Sequence, residues 1–182
     1  ALKTRRFDAI LSAMSVTDKR LAEISFSDRL WATPPRLIAR KDAKFTASAD
    51  TLKGKRVGVQ AGSTHEQFAN EQWRTAGVNI ISYKSQNEIY QDLINGRLDA
   101  TLTNAIDAQT NLLQKPEGQP FGLMPGDVVH ASIYNNRGTA IGLLKEDDAL
   151  RRDLNKAIAS IKANGNYKKL MAKYFSFDIS GD

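Results

Sequence analysis

Phe7-Asp-Ala-Ile-Leu-Ser-Ala-Met-Ser-Val-Thr-Asp-Lys-Arg20 decides how the rest of the chain is read. Phe7, Ala9, Ile10 and Leu11 make an apolar run too short for a free-standing helix, so they are expected to form a buried strand. Ser12 and Ser15 follow where the chain leaves the sheet, and Thr17 stands as an N-cap ahead of Asp18-Lys-Arg-Leu-Ala-Glu-Ile24. Two hydroxyls, backbone N–H groups and Arg20 thus meet at the end of a strand. The planar fork of an arginine holds a carboxylate through two parallel hydrogen bonds, and in open α/β sheets ligands sit outside the carboxyl ends of the strands. The same corner also reads as a plain strand–turn–helix with Arg20 as a solvated charge, and this segment alone does not separate the two.

Downstream, Phe26-Ser-Asp-Arg-Leu-Trp-Ala-Thr-Pro-Pro35 ends in paired prolines that stiffen a connection and stop any helix. A domain crossing is expected between Ala32 and Pro35. Arg36 to Lys41 alternates like a strand, and Asp50 to Gly54 is turn-like. From Lys55 a regular α/β alternation sets in. Strands are expected over Arg56–Gln60, Val78–Tyr83 and Leu98–Thr103. Between them run a helix from Thr64 to Ala76 closed by Gly77, and one carrying Ile89, Leu93 and Ile94 up to Gly96. Ser63 with Glu66 and Ser85 with Glu88 have the spacing of capping boxes, and Asn104 with Asp107 repeats it ahead of a helix to Gln114. Lys115 to Pro120 reads as a surface loop, and a weaker strand region extends to Tyr134. Asn135 to Gly138 reads as a turn, followed by a strand over Thr139–Leu144. A helix over Asp147–Asn164 shows Leu150, Leu154, Ala157, Ile158 and Ile161 on one face, and Tyr167–Phe175 forms a last helix.

Bulk properties narrow the function. With 182 residues, 41% hydrophobic and 25% charged, the chain has the balance of a soluble globular protein of one domain or two small lobes. No apolar run reaches membrane-spanning length. Phe7 to Met14 is broken by Asp8 and Ser12 and does not read as the core of a signal peptide. The net charge of +6 comes from 26 basic and 20 acidic residues that are interspersed, which argues against nucleic acid as a partner. Absence of cysteine excludes disulfides, thiol catalysis and Cys-ligated metals. His65 and His130 have no metal-ligand spacing, so neither a metal nor a cofactor is expected.

Two further stretches could hold a ligand. In Gln60-Ala-Gly-Ser-Thr-His65 a strand ends, Gly62 permits close backbone approach, and a helix starts at Ser63 or Thr64. A helix start suits an anion, and a loop this short without a lysine suits a carboxylate better than a polyphosphate. An ordinary well-capped βα corner fits the same residues. Asn104 stands at the end of another strand, where it either joins that crevice or merely caps its helix. No serine lies in a nucleophile-elbow setting and neither histidine has a visible partner, so the sequence offers no catalytic constellation.

These sites, in this order, resemble the periplasmic solute-binding proteins of polar amino-acid ABC transporters, above all the lysine/arginine/ornithine- and histidine-binding subgroup. The matching text is Phe7 to Arg20 and Glu23-Ile-Ser-Phe-Ser-Asp28, then Leu52-Lys-Gly-Lys-Arg-Val-Gly-Val-Gln-Ala-Gly-Ser-Thr64 and Asp92-Leu-Ile-Asn-Gly-Arg-Leu-Asp99. Near the end come Gly138-Thr-Ala-Ile-Gly142, Asn164-Gly-Asn-Tyr-Lys168 and Lys173-Tyr-Phe175. The resemblance implies an α/β fold of class II periplasmic-binding-protein type, with two lobes joined by crossing strands and closing on the ligand. Lobe one would comprise residues 1–32 and 132–182, and lobe two residues 33–131. Arg20 would clamp the ligand α-carboxylate with the N–H groups of Ser15 and Thr64. Ser15 and the Ala13 carbonyl would face the α-ammonium, and Ser12, Gln60 and His65 would lie near the ligand side chain. The implied partners are an amino acid and an inner-membrane ABC permease, and the implied location is the periplasm.

Two departures from the family pattern stand out. The family places an aspartate where this chain has Asn104. Losing a charged hydrogen bond of roughly 1.5–3 kcal/mol costs about 10- to 100-fold in affinity for a plain amino acid, which points to an amine-modified, opine-like ligand or to weaker binding. The family's opening quarter, which supplies part of the lobe-one sheet, is also missing. Lobe one is therefore expected to be incomplete, to expose apolar surface, and to pair with a second chain as a homodimer. The rival readings are a dehydratase-like enzyme on the same scaffold, the effector half of a transcription regulator, and a dimeric remnant that binds nothing.

Overall fold

The computed structural model describes residues 2–12, 14–32, 35–126, 128, 137–175 and 179. The chain divides into two compact units, Ala1–Thr33 with Tyr134–Asp182 (unit 1) and Pro34–Ile133 (unit 2). The boundaries expected at Thr33 and at Ala131–Ser132 fall outside the described residues, as do most of the segment expected to lead to Tyr134 and the start of the turn at Asn135.

Unit 1 opens with β1 (Ala9–Ile10), α1 (Asp18–Glu23) and β2 (Ser25–Phe26). Unit 2 follows with β3 (Pro35–Arg40), α2 (Ala49–Leu52), β4 (Arg56–Gln60), α3 (Thr64–Phe68) and β5 (Asn79–Tyr83). It continues with α4 (Gln86–Ile94), β6 (Ala100–Asn104), α5 (Ala105–Ala108) and β7 (Phe121–Leu123). The chain then returns to unit 1 as β8 (Gly142–Leu143), α6 (Asp148–Ala163) and α7 (Asn166–Tyr174).

In unit 2 the sheet order is β5-β4-β6-β3-β7. β4 runs parallel to β5 and β6, while β3 is antiparallel to β6 and β7. Leu37, Ile38 and Ala39 are all inaccessible, so β3 is buried on both faces rather than alternating as its sequence suggested. Ile38 joins Ile89, Tyr90, Leu93, Leu98, Ala108, Leu112 and Phe121 in one cluster. The Ser85–Glu88 capping box forms with both reciprocal bonds. The helix expected from Thr64 to Ala76 is continuous but not uniform. After α3 it widens into an i→i+5 turn over Ala69–Trp73 and tightens into a 3-10 turn over Arg74–Ala76. Gly77 at φ +89° ends it. The wide turn accompanies an edge-to-face contact of Phe68 with Trp73 at 5.2 Å.

Several local expectations need correction. Asp50–Gly54 is not simply a turn, because Ala49–Leu52 makes one helical turn that drives Leu52 fully into the core. Lys115–Pro120 is not wholly a surface loop. Its 3-10 turn over Pro116–Gly118 buries Gly118, where a Cβ would lie 1.9 Å from the Leu112 carbonyl oxygen.

In unit 1, β8 lies between β1 and β2 and is antiparallel to both. Thr139 adds single bridges to Ser15 and Trp31. Two small clusters form the core: Leu2, Ile24, Phe26, Ala140 and Leu144, and Leu30, Ile141, Leu143 and Ile158. Both expected strands are shorter than their apolar runs. Only Ala9–Ile10 and Gly142–Leu143 pair, Phe7 is exposed, and Leu11 is 70% exposed. The predicted face of α6 buries Ile158 alone, leaving Leu150 and Ile161 exposed. On α7, Leu170 is 57% and Tyr174 55% exposed. A three-stranded sheet of two-residue strands offers too little surface to cover these side chains.

Two outcomes follow for unit 2. Gly118→Ala is expected to lower stability by about 2 kcal/mol or more, because a backbone carbonyl must move; urea denaturation measures it. Asp99 accepts from the Arg56 N–H at 2.7 Å, from Nε at 3.1 Å and, through its other oxygen, from Nη2 at 3.0 Å, and the Arg56 hydrogen bond holds its carboxyl below the usual range. A carboxyl depressed in this way stabilises the fold fully above its unfolded value of about 3.9. That contribution is lost as pH falls through the folded value. Asp99→Asn should therefore lower the urea midpoint at pH 7, with the gap to the parent closing as pH falls below about 3.9 and through the lowered folded value.

Candidate ligand-binding site

The residues singled out by sequence fall into three corners. The first, in unit 1, is the turn between β1 and α1. Thr17 is the N-cap of α1 in extended backbone, and its hydroxyl oxygen accepts the Arg20 N–H at 3.2 Å. Val16 N–H donates to the Gly138 carbonyl at 2.9 Å, which ties the turn to the returning chain. Ser15 is the bridge partner of Thr139. Ser12 is exposed, and its carbonyl accepts the Met14 N–H at 2.7 Å. Ala13, expected to offer its carbonyl to an ammonium, lies outside the described residues.

Arg20 is half-buried, and Nη1 donates to the Ser15 carbonyl at 2.8 Å. Burial lowers the pKa of its guanidinium below the ordinary value for arginine. Among the described residues no carboxylate pairs with it. Neighbouring cations behave differently: Arg5 pairs with Asp147 and Glu146, and Arg137 with Asp18. A partly desolvated cation that keeps no anionic partner is costly in a folded protein, and an incoming carboxylate removes that cost.

The second corner, in unit 2, joins β4 to α3. Gly62 takes a φ of +72°, which favours glycine, and a Cβ there would meet nothing within 4 Å, so the backbone conformation rather than crowding by the protein accounts for it here. Ser63 caps α3. Its oxygen accepts the Glu66 N–H at 3.1 Å while its hydroxyl donates to the Gln60 carbonyl at 2.6 Å. The reciprocal half of the expected capping box is displaced by one residue: the Glu66 carboxylate accepts the Gly62 N–H at 2.7 Å and a bond from the Ser82 hydroxyl. Glu66 was read only as a capping residue, yet it fastens the loop to β5. The Gly62 N–H and the Ser63 hydroxyl proton are thus spent inside the loop. Thr64 is buried, His65 is half-buried, both in the first turn of α3, and the Gln60 side chain is exposed at the end of β4.

The third corner is the end of β6. Asn104 pairs in register with Pro35 and caps α5, its Oδ1 accepting the Ile106 N–H at 2.8 Å. Asp107 does not complete a box. Its carboxylate accepts from the Tyr90 hydroxyl at 2.5 Å and from Asn111 Nδ2 at 2.7 Å. Tyr90 carries no motif in the sequence beyond its helical spacing, and the sequence reading did not single it out. Burial pushes the phenol far above its ordinary range, so it stays a donor. Among the described residues no group of His, Asp and Glu side chains is arranged to hold a metal ion.

Comparison with known proteins gives these corners a context. The profile of bacterial extracellular solute-binding proteins, family 3, matches residues 1–177. The lysine/arginine/ornithine-binding periplasmic protein of Escherichia coli is 44% identical over 182 residues, all of this chain and 70% of that protein. The histidine-binding periplasmic protein of the same organism is 42% identical over 181 residues, 69% of its length. The L-arginine-binding protein of Pseudomonas aeruginosa is 36% identical over 181 residues, 70% of its length. Among solved structures, a Salmonella typhimurium periplasmic binding protein described for high arginine specificity superposes with a TM-score of 0.84 at 27% identity, covering 96% of this chain and 75% of that one. An ancestral arginine-binding protein bound to arginine gives 0.82 at 28%, covering 96% and 74%. Sequence and fold agree, and the chain belongs to the bacterial extracellular solute-binding proteins, family 3.

Proposed function

We propose that this protein captures a cationic or polar amino acid, or a derivative of one, in the periplasm and presents it to an ABC permease in the inner membrane, without catalysing a reaction. Arg20 carries this reading: it is half-buried and, among the described residues, has no carboxylate partner, so an incoming carboxylate would supply one. Relatives named for lysine, arginine, ornithine and histidine binding support the ligand class. In this reading unit 1 is lobe one and unit 2 lobe two. Arg20 and the Ser15 N–H take the α-carboxylate together with the Thr64 N–H. Ser15 and the Ala13 carbonyl face the α-nitrogen with Asn104, and Ser12, Gln60 and His65 meet the side chain, with Gly62 and Ser63 shaping the loop. Asn104 in place of a carboxylate favours a ligand whose amine is substituted, as in opine-like conjugates.

The reading extends to assembly. Phe7, Leu11, Leu150, Ile161, Leu170 and Tyr174 are exposed in unit 1, and β1 and β2 are the edges of its sheet. Open strand edges beside uncovered apolar side chains favour association, and a second copy of the chain completes lobe one in this proposal.

Isothermal titration calorimetry on ligand-stripped protein, against arginine, lysine, ornithine, histidine and Nα-substituted arginines, tests the function. Arg20→Ala is expected to weaken binding by about 100-fold or more, from the loss of two charge-assisted bonds of roughly 1.5–3 kcal/mol each. Saturable binding that survives this substitution unchanged overturns the site, and no heat with any of these compounds overturns the function. Light scattering after size exclusion is expected to give twice the chain mass; a monomer with no affinity for an apolar dye argues against the dimer.

A further inference from the structure

Among the side chains packed around the third corner, Tyr90 has a place that a core role alone does not explain. It is 3% exposed on α4, yet its hydroxyl donates to the Asp107 carboxylate at 2.5 Å. Gln86, at the start of the same helix, donates to the Thr101 hydroxyl of β6 at 3.3 Å, which donates to the Gly58 carbonyl at 2.9 Å. Asn111, one turn beyond Asp107, donates to the other carboxylate oxygen. The phenol therefore links α4 to the first turn of α5, and Gln86 links α4 to β6.

These groups bracket Asn104. Thr103 precedes it on β6, and Asp107 is the third residue of the helix that it caps. In a capping box the carboxylate at that position would bond the backbone N–H of the cap residue. Here it is turned away to Tyr90, so Asn104 Oδ1 on the Ile106 N–H and Asp107 on Tyr90 are side-chain hydrogen bonds that anchor the first turn of α5, beside the burial of Ala105 and Ala108. Removing the second weakens that anchoring. The α4 end of the link is stiff, because Ser85 and Glu88 close a full capping box there.

We propose that Tyr90 is a positioning residue for ligand binding: through Asp107 it fixes the first turn of α5 where it leaves β6, and so the place of the Asn104 carboxamide. This rests on the reading of Asn104 as a ligand-contacting residue, and it adds a determinant remote from the ligand. A buried, hydrogen-bonded network of this kind fixes one geometry because partial satisfaction is costly. Tyr90→Phe keeps the ring and its packing while removing the hydroxyl.

The test has two arms. The first needs no ligand. Native-state amide exchange in Tyr90→Phe is expected to speed up at Ile106 by about fivefold or more, the size of a weakened cap. The Glu88 amide, held by the Ser85 cap, should stay unchanged. Asp107→Ala, which breaks the same link from the other side, is expected to give the same pattern, and it decides the matter if Tyr90→Phe does not fold. Unchanged Ile106 exchange in a folded variant, or equal acceleration at Glu88, overturns the proposal. The second arm is calorimetry with L-arginine, L-lysine, L-ornithine and L-histidine. Tyr90→Phe should weaken binding by about three- to tenfold, with little further loss when Asn104→Ala is already present, since coupled residues are non-additive. Equal losses in both backgrounds mark Tyr90 as merely structural and overturn the positioning role. Absence of binding by the wild-type protein overturns the function instead, and the exchange arm then decides whether Tyr90 holds the junction.

Discussion

Unit 1 depends on the return of one strand. Residues 142–143 insert between Ala9–Ile10 and Ser25–Phe26, and Thr139 just before them bridges both Ser15 and Trp31. Without that return, the two ends of the chain share no sheet. The contact is tight. At Gly142 a Cβ would sit 3.3 Å from Ile24 Cδ1 and 3.5 Å from Met14 Sδ, and at Gly138 it would sit 2.4 Å from the Trp31 carbonyl oxygen. Small residues at these points let the strand enter, and the same pairing holds the turn that carries Arg20.

The charge of Arg20 is an imbalance that the fold maintains. Most basic side chains of the described structure that approach an acid are paired on the surface, where pairing contributes little. Arg20 is instead half-buried and steadied by a carbonyl dipole, with no carboxylate paired to it among the described residues. The loop at Gln60–Thr64 is organised in the opposite sense. Glu66 and Ser63 satisfy its backbone from within, so the loop keeps its shape without a ligand. A loop satisfied from within needs no ligand to order it, and preorganisation of this kind reduces the ordering cost of binding.

Much of this was legible in the sequence because local chemistry and tertiary structure agree. Thr17, Ser63, Ser85 and Asn104 all cap helices as their residue types dictate, and β4, β5 and β6 form from apolar runs bounded by turn residues. The misreadings lie where a long-range partner overrode the local rule. Glu66 and Asp107 sit at capping-box positions, but Ser82 and Tyr90 offered their carboxylates better partners than the cap backbone. Leu11, Leu150 and Leu170 look like core residues by periodicity, and burial requires a neighbour that periodicity cannot supply. The link from Tyr90 to Asp107 was invisible for a related reason: a tyrosine at a helical core spacing shows its ring in the pattern and hides its hydroxyl.

The discontinuity of unit 1 also sets an order of assembly. Phe26 pairs with Gly142 across the whole of unit 2, so closing that contact carries a loop-entropy cost that local pairings in unit 2 do not face. During synthesis, the contiguous stretch Pro34–Ile133 leaves the ribosome before β8 exists. Unit 2 can thus gather its sheet first and draw together the chain segments on either side of it, while unit 1 waits on its last strand. The turn that carries Arg20 is held by the chain just ahead of that strand, so it takes its final shape only when the strand returns and loosens with it when unit 1 opens.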